Sequence, residues 1–190
     1  MTPANIPESE PSAGYGPGSR QILIVTGLSG AGKSSILRVL EDLGHEVVDN
    51  PPLQLLEALA SRSGERMASG IDVRSRGFEA SGVLDEIDKL KALPGSQVQL
   101  LYAKAEPEIL LRRFTANSRR HPLVSSGTII PGIEQETRLL APLRAHADFV
   151  IDTSDLPAPE LRQLIETRFG NDAKDGLTVA LMSFAYPSGL

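Results

Sequence analysis

The sequence predicts an α/β domain built as a parallel sheet with helices on both faces. Two observations predict it. Short apolar, β-branched runs alternate with stretches of helical periodicity from Gln21 to about residue 170, the pattern of parallel strands joined by helical crossovers. And Gly27-Leu28-Ser29-Gly30-Ala31-Gly32-Lys33-Ser34 matches the phosphate-binding pattern G-x-x-x-x-G-K-[ST] at every position, between a predicted strand and a predicted helix. Together they indicate a kinase-like P-loop NTPase domain, whose usual strand order is 2-3-1-4-5.

Each element has its own justification. Residues 1–20 are rich in Pro, Gly, Ser and Glu and are expected to form a disordered leader. Residues 21–26 read as the first strand. Residues 33–44 read as a helix with Ile36, Leu37, Leu40 and Leu43 on one face. Glu46–Asp49 is a short second strand. Pro51-Pro52 is expected to open a helix running to about Ala60, because proline is tolerated in a first turn. Met67–Val73 reads as the third strand and 79–92 as a helix. Gln97–Ala103 is the fourth strand, and Pro107 starts a helix over 106–116. A polar, Arg-rich stretch at 117–128 then interrupts the alternation. A helix at 131–146, a strand at 148–152 and a helix at 157–168 complete the domain. The period-2 run from Leu177 to Phe184 reads as one more strand.

Composition narrows the function classes. Of 190 residues, 41% are hydrophobic and 23% charged, as in an ordinary globular protein. Aromatic residues make up 4%, with no Trp, and the net charge is -5; both argue against a broad nucleic-acid-binding face. The chain has no Cys, which excludes disulfides and thiolate metal sites. No apolar run reaches the roughly 18–20 residues of a membrane span, and the N-terminus has no apolar signal region. A cytoplasmic protein with no membrane association is expected.

The P-loop carries the chemistry. Its glycines let successive backbone N–H groups converge on one phosphate, and the following helix adds the positive end of its dipole. Lys33 is placed to reach the β- and γ-phosphates and the Ser34 hydroxyl to ligate Mg²⁺. Such a loop needs an acidic partner. Three strands end in Asp, at Asp49, Asp72 and Asp152. In the order 2-3-1-4-5 the third strand lies beside the P-loop strand, which makes Asp72 the metal candidate. Asp49 falls on the substrate side of the crevice. Asp152 is expected to cap through Thr153 or Ser154. Arg119 and Arg120 occupy the position of a phosphoryl-transfer lid, where guanidinium groups clamp the γ-phosphate. Arg112 and Arg113 read as a solvated helix face, and His121 before Pro122 as a structural histidine.

Several segments resemble one family. The P-loop is followed by Leu-Glu-Asp-Leu-Gly at 40–44, Val-Val-Asp-Asn-Pro-Pro at 47–52 and Ile-Asp-Val-Arg at 71–74. Then come Arg-Arg-His-Pro-Leu at 119–123, Glu-x-x-x-Leu-x-Pro-Leu-Arg at 136–144 and Ala-Asp-x-Val-Ile-Asp-Thr-Ser at 147–154. In this order they resemble the RapZ/YvcJ family of P-loop nucleotide-binding proteins. The resemblance implies binding of ATP and GTP with weak hydrolysis of both. It places a first nucleotide motif on Gly27 to Ser34 and a second, for GTP, on Asp72, Val73, Arg74 and Ser75. Enterobacterial members are RNase adapters that bind small RNAs, regulate amino-sugar synthesis and form multimers, so a homo-oligomer is among the implied partners. Two departures stand out. Pro51 replaces the family's usual Leu, which stiffens that turn. The family's second domain would begin near Leu177, so residues 171–190 read as a linker and the start of a domain this chain lacks, and RNA contact is implied only through that domain.

Three functions suit these residues: a nucleotide-binding regulator with slow hydrolysis, a small-molecule kinase with Asp49 orienting the acceptor hydroxyl, and a non-enzymatic adapter stabilised by nucleotide.

Overall fold

A computed structural model describes residues 19–116, 120–124 and 128–170. The expected leader, Arg119 and the period-2 run at 177–184 lie outside the described residues.

The first strand, β1 (Arg20–Gly27), is the centre of the domain, and Ile22, Leu23, Ile24 and Val25 are fully buried. A continuous apolar run is what a strand covered on both faces requires. After the P-loop comes α1 (Lys33–Asp42), then β2 (Glu46–Asp49), α2 (Leu56–Arg62), β3 (Arg66–Gly70), α3 (Ala80–Ala92), β4 (Ser96–Lys104), α4 (Pro107–Ala116), α5 (Ile130–Ala145), β5 (Phe149–Asp152) and α6 (Ala158–Phe169). All strand pairs are parallel, in the order β2-β3-β1-β4-β5.

This order places the site. Right-handed crossovers that move in opposite directions along a sheet lie on opposite faces. The step from β1 to β2 runs one way and the step from β3 to β4 the other. Accordingly α1 packs with α6, whereas α3 packs with α5. The loops after β1 and β3 therefore diverge at the carboxyl edge of the sheet, and the crevice between them is where open α/β sheets bind ligands.

Two elements depart from the sequence expectation. Pro52 is extended (φ −55°, ψ 132°) and precedes a single 3-10 turn, Leu53–Leu55, so the helix proper starts at Leu56 and not at Pro51. An X-Pro-Pro run disfavours the α region before each ring, and that effect outweighs the tolerance of proline in a first turn. Strand β3 stops at Gly70, because the chain turns there to bring Asp72 over the P-loop.

His45, entering β2, is buried and its Nδ1 donates to the Leu40 carbonyl at 3.0 Å. Burial, with the Arg66 charge adding to it, lowers its pKa to about 4. Unfolded histidine titrates near 6.5, so the unfolded chain binds the extra proton first as the pH falls. The His45 contribution is therefore complete above pH 6.5, declines between 6.5 and about 4, and is level below that. The decline should be about 2–3 kcal/mol. Urea unfolding at pH 7 and pH 4.5 should show a smaller pH difference for His45→Gln than for the unmodified chain.

Candidate functional site

The P-loop is held in shape by its packing. Gly27 has φ +129°, and a Cβ there would lie 2.0 Å from the Ala103 carbonyl oxygen, so β1 and β4 approach too closely for a side chain. Leu28 N–H donates to that carbonyl at 3.0 Å, and Gly32 (φ +89°) turns the chain into α1. The Lys33 ammonium folds back over the loop. It donates to Gly27 O at 2.7 Å and Leu28 O at 3.1 Å, and lies 3.6 Å from Asp72 Oδ2. Burial lowers its pKa, against the pull of the Asp72 and Glu136 carboxylates.

Asp72 is almost fully enclosed and engaged at both oxygens. Arg74 donates from Nε to Oδ1 (3.0 Å) and Oδ2 (3.1 Å), from Nη2 to Oδ2 (2.6 Å) and from its backbone N–H to Oδ1 (2.9 Å). Burial alone would raise the Asp72 pKa; the Arg74 bonds and the Lys33 charge outweigh it and hold the carboxyl below its usual range. Asn50 fixes this turn to β2. It adopts φ +52°, a conformation Asn tolerates better than most residues, and its Oδ1 accepts from Asp72 N–H (3.1 Å) and Ser75 Oγ (2.8 Å). Ser75 is thus buried, its hydroxyl committed to Asn50.

These groups surround one open cavity of about 790 Å³. Gly30, Gly32, Lys33 and Ser34 of the P-loop line it, as do Asp49, Asp72, Arg74 and Arg120; Leu156, Ala158 and Leu161 give part of the lining an apolar character. Gly27, Leu28, Ala31, Val73 and Ser75 support the site without lining it. Ser34 is exposed to the cavity. Asp152 caps as expected, accepting from Ser154 N–H (3.0 Å) and Oγ (2.6 Å), with Lys104 paired to its other oxygen.

Arg113 and Glu136 carry more than the sequence suggested. Arg113 is not on a solvated face. It donates to Gly30 O (3.0 Å), Thr153 Oγ1 (3.0 Å) and Thr153 O (2.6 Å), tying the P-loop to the loop after β5. Glu136 is fully buried on α5 and accepts from Ser29 N–H (2.9 Å), Ser29 Oγ (2.7 Å) and His121 Nε2 (3.1 Å). His121 is structural, as expected. It packs against Phe114 with ring centroids 5.1 Å apart, and it sits where a Cβ on Gly132 would come within 2.7 Å of its Nδ1. Two signs of Glu136 were available: it opens the Glu-x-x-x-Leu-x-Pro-Leu-Arg segment, and it is a carboxylate on an otherwise apolar helix face with Gly132, Ile133 and Leu140.

The site's donor chemistry fits Mg²⁺. Ser34 and Asp72 offer hard oxygens on one cavity, and Mg²⁺ keeps several waters, through which an already engaged carboxylate can act. Among the described residues no cluster of three or more His, Asp or Glu side chains forms a protein-only metal cage, and no helix is long and apolar enough to cross a membrane.

Comparison with known proteins is consistent with this geometry. The profile of the RapZ-like N-terminal domain matches residues 20–173. A nucleotide-binding protein of Gluconobacter oxydans is 78% identical over 190 residues, covering 100% of this chain and 59% of its own length. One of Gluconacetobacter diazotrophicus is 58% identical over 177 residues, covering 92% and 50%. The chain thus spans 50–59% of the length of these relatives. In fold it is similar to a shikimate kinase from Acinetobacter baumannii (TM-score 0.54, 20% identity, 80% of this chain and 92% of that one). It is similar also to a gluconokinase from Sinorhizobium meliloti (TM-score 0.51, 17% identity, 82% and 95%).

Proposed function

The chain belongs to the RapZ-like N-terminal domain family, and from that premise we propose that it binds ATP and GTP with Mg²⁺, hydrolyses them slowly and serves a regulatory role in the cytoplasm. The observation that carries this reading is the convergence of a complete P-loop, Asp72 and Arg120 on one cavity. The P-loop amides and Lys33 hold the β- and γ-phosphates. Arg120 and Arg74 offset the charge on the terminal phosphate. Ser34 and Asp72 would hold Mg²⁺, which would neutralise phosphate charge when bound. Lys33 gives two of its three ammonium protons to Gly27 O and Leu28 O, which leaves the third for a phosphate. The apolar stretch of the lining, at Leu156, Ala158 and Leu161, supports a base site that accepts both purines. RNA contact and self-association are not assigned to this cavity.

Asp72→Asn tests the metal assignment. Affinity for a non-hydrolysable ATP analogue should fall about tenfold with Mg²⁺ and much less in EDTA, the loss of about one charge-assisted interaction. Equal losses under both conditions would remove Asp72 from the metal site.

Asp49 favours a second reading. Its side chain lies against Gly70, where a Cβ would come within 2.5 Å of its Oδ1, and it lines the same cavity. A carboxylate there could orient an acceptor hydroxyl. Release of inorganic phosphate in water alone favours hydrolysis; a phosphorylated metabolite with matching nucleotide consumption favours transfer.

A further inference from the structure

Holding a triphosphate does not hydrolyse it. The backbone amides of the P-loop are donors only, and a water in line with the γ-phosphate needs an acceptor for one of its protons. Both Asp72 oxygens are taken by Arg74, and Asp49 ends β2, two strands away from the P-loop strand. Ser29 is different. It lines the cavity, and its amide nitrogen belongs to the peptide whose carbonyl, Leu28 O, holds the Lys33 ammonium at 3.1 Å. It therefore sits beside the place where a P-loop lysine meets the terminal phosphate.

The Ser29 hydroxyl proton has a fixed direction. Leu123 N–H donates to His121 Nδ1 at 3.2 Å, which assigns the imidazole proton to Nε2, and Nε2 donates to Glu136 Oε2 together with Ser29 N–H. Glu136 Oε1 is left to accept the Ser29 Oγ proton at 2.7 Å. A hydroxyl has one proton and two lone pairs. With the proton turned into the protein, the lone pairs remain for the cavity.

We propose that Ser29 is the hydrogen-bond acceptor that orients the attacking water, and that the buried Glu136 is the positioning residue that makes it so. The inference rests on the hydrolysis reading above. In the step, the water oxygen forms a bond to the γ-phosphorus as the bond to the β–γ bridging oxygen breaks. The bonding pair leaves with the nucleoside diphosphate. One water proton, held toward Ser29 Oγ during attack, stays on the new phosphate, and the other passes to a phosphoryl oxygen. Ser29 and Glu136 gain and lose no proton.

Glu136→Gln separates this role from packing. The amide oxygen can replace Oε2 for Ser29 N–H and His121, while the amide nitrogen replaces Oε1 and donates to Ser29 Oγ, so every bond survives but the Ser29 proton is driven into the cavity. Single-turnover phosphate release from Mg·ATP and Mg·GTP, with affinity for a non-hydrolysable analogue, should show turnover falling about tenfold or more in both Ser29→Ala and Glu136→Gln, the worth of one oriented hydrogen bond. Affinity should stay within about twofold, as expected for an interaction made in the transition state. Unchanged turnover in both variants, or affinity lost in step with turnover, overturns the inference and leaves hydrolysis standing. Nucleotide binding without any turnover by the unmodified chain overturns the hydrolysis reading, and this inference with it.

Discussion

Lys33→Met should lower affinity for Mg·ATP and Mg·GTP about 10- to 100-fold while leaving the fold as stable as before, within about 1 kcal/mol. The two halves of this result have one cause. The ammonium is buried, and burial is the largest influence on its pKa, pushing it down. Its compensation within the protein is two carbonyls and an ion pair with Asp72 that is longer than a hydrogen bond. Replacing such a charge by an apolar side chain of similar length removes a desolvation cost along with the interactions. Asp72 is not orphaned, because Arg74 still grips both oxygens. With a triphosphate present the balance reverses: the phosphates lose a charge-assisted donor, worth about 1.5–3 kcal/mol. Calorimetric titration and denaturant unfolding of the same sample check both halves. A large loss of stability would mean that the lysine is structural first.

Glu136→Ala should be the most damaging single change, at about 3 kcal/mol or more. Truncation strands three buried donors at once, Ser29 N–H, Ser29 Oγ–H and His121 Nε2–H, and leaves a void in α5. The loss should reach the P-loop and the His121 segment together, because Glu136 bonds both. Glu136→Gln, which keeps the bonds, should cost about 1 kcal/mol or less. The denaturant midpoint, at constant slope, reads the difference. Equal destabilisation by the two variants would show that charge, and not the set of hydrogen bonds, holds this junction.

Much of this was legible from local pattern. The P-loop between a strand and a helix pointed to a kinase-like domain and so to its usual strand order, and all five strands pair in that order. Lys33 and Ser34 were read from the P-loop pattern, Asp72 from the strand order and Arg120 from its place in the Arg-rich segment, and all four line one cavity. What stayed hidden depends on contacts distant in sequence. Glu136 meets Ser29 across 107 residues, and helical periodicity marks a buried position without saying which loop it faces. Arg113 resembled its neighbour Arg112 by composition, yet one helical step turns it onto Gly30 and Thr153. The Val-Asp-Asn segment was noticed for its aspartate; that Asn50 is the residue pinning the Asp72 turn depends on a positive φ, which the sequence signals only weakly.

The central claim is that this domain is a working nucleotide site. Isothermal titration of the chain with non-hydrolysable ATP and GTP analogues, with Mg²⁺ and with EDTA, tests it most directly. The account predicts saturable binding of both at one site per chain, stronger with Mg²⁺ and largely abolished by Lys33→Met. A folded chain that binds neither nucleotide under any of these conditions would contradict it.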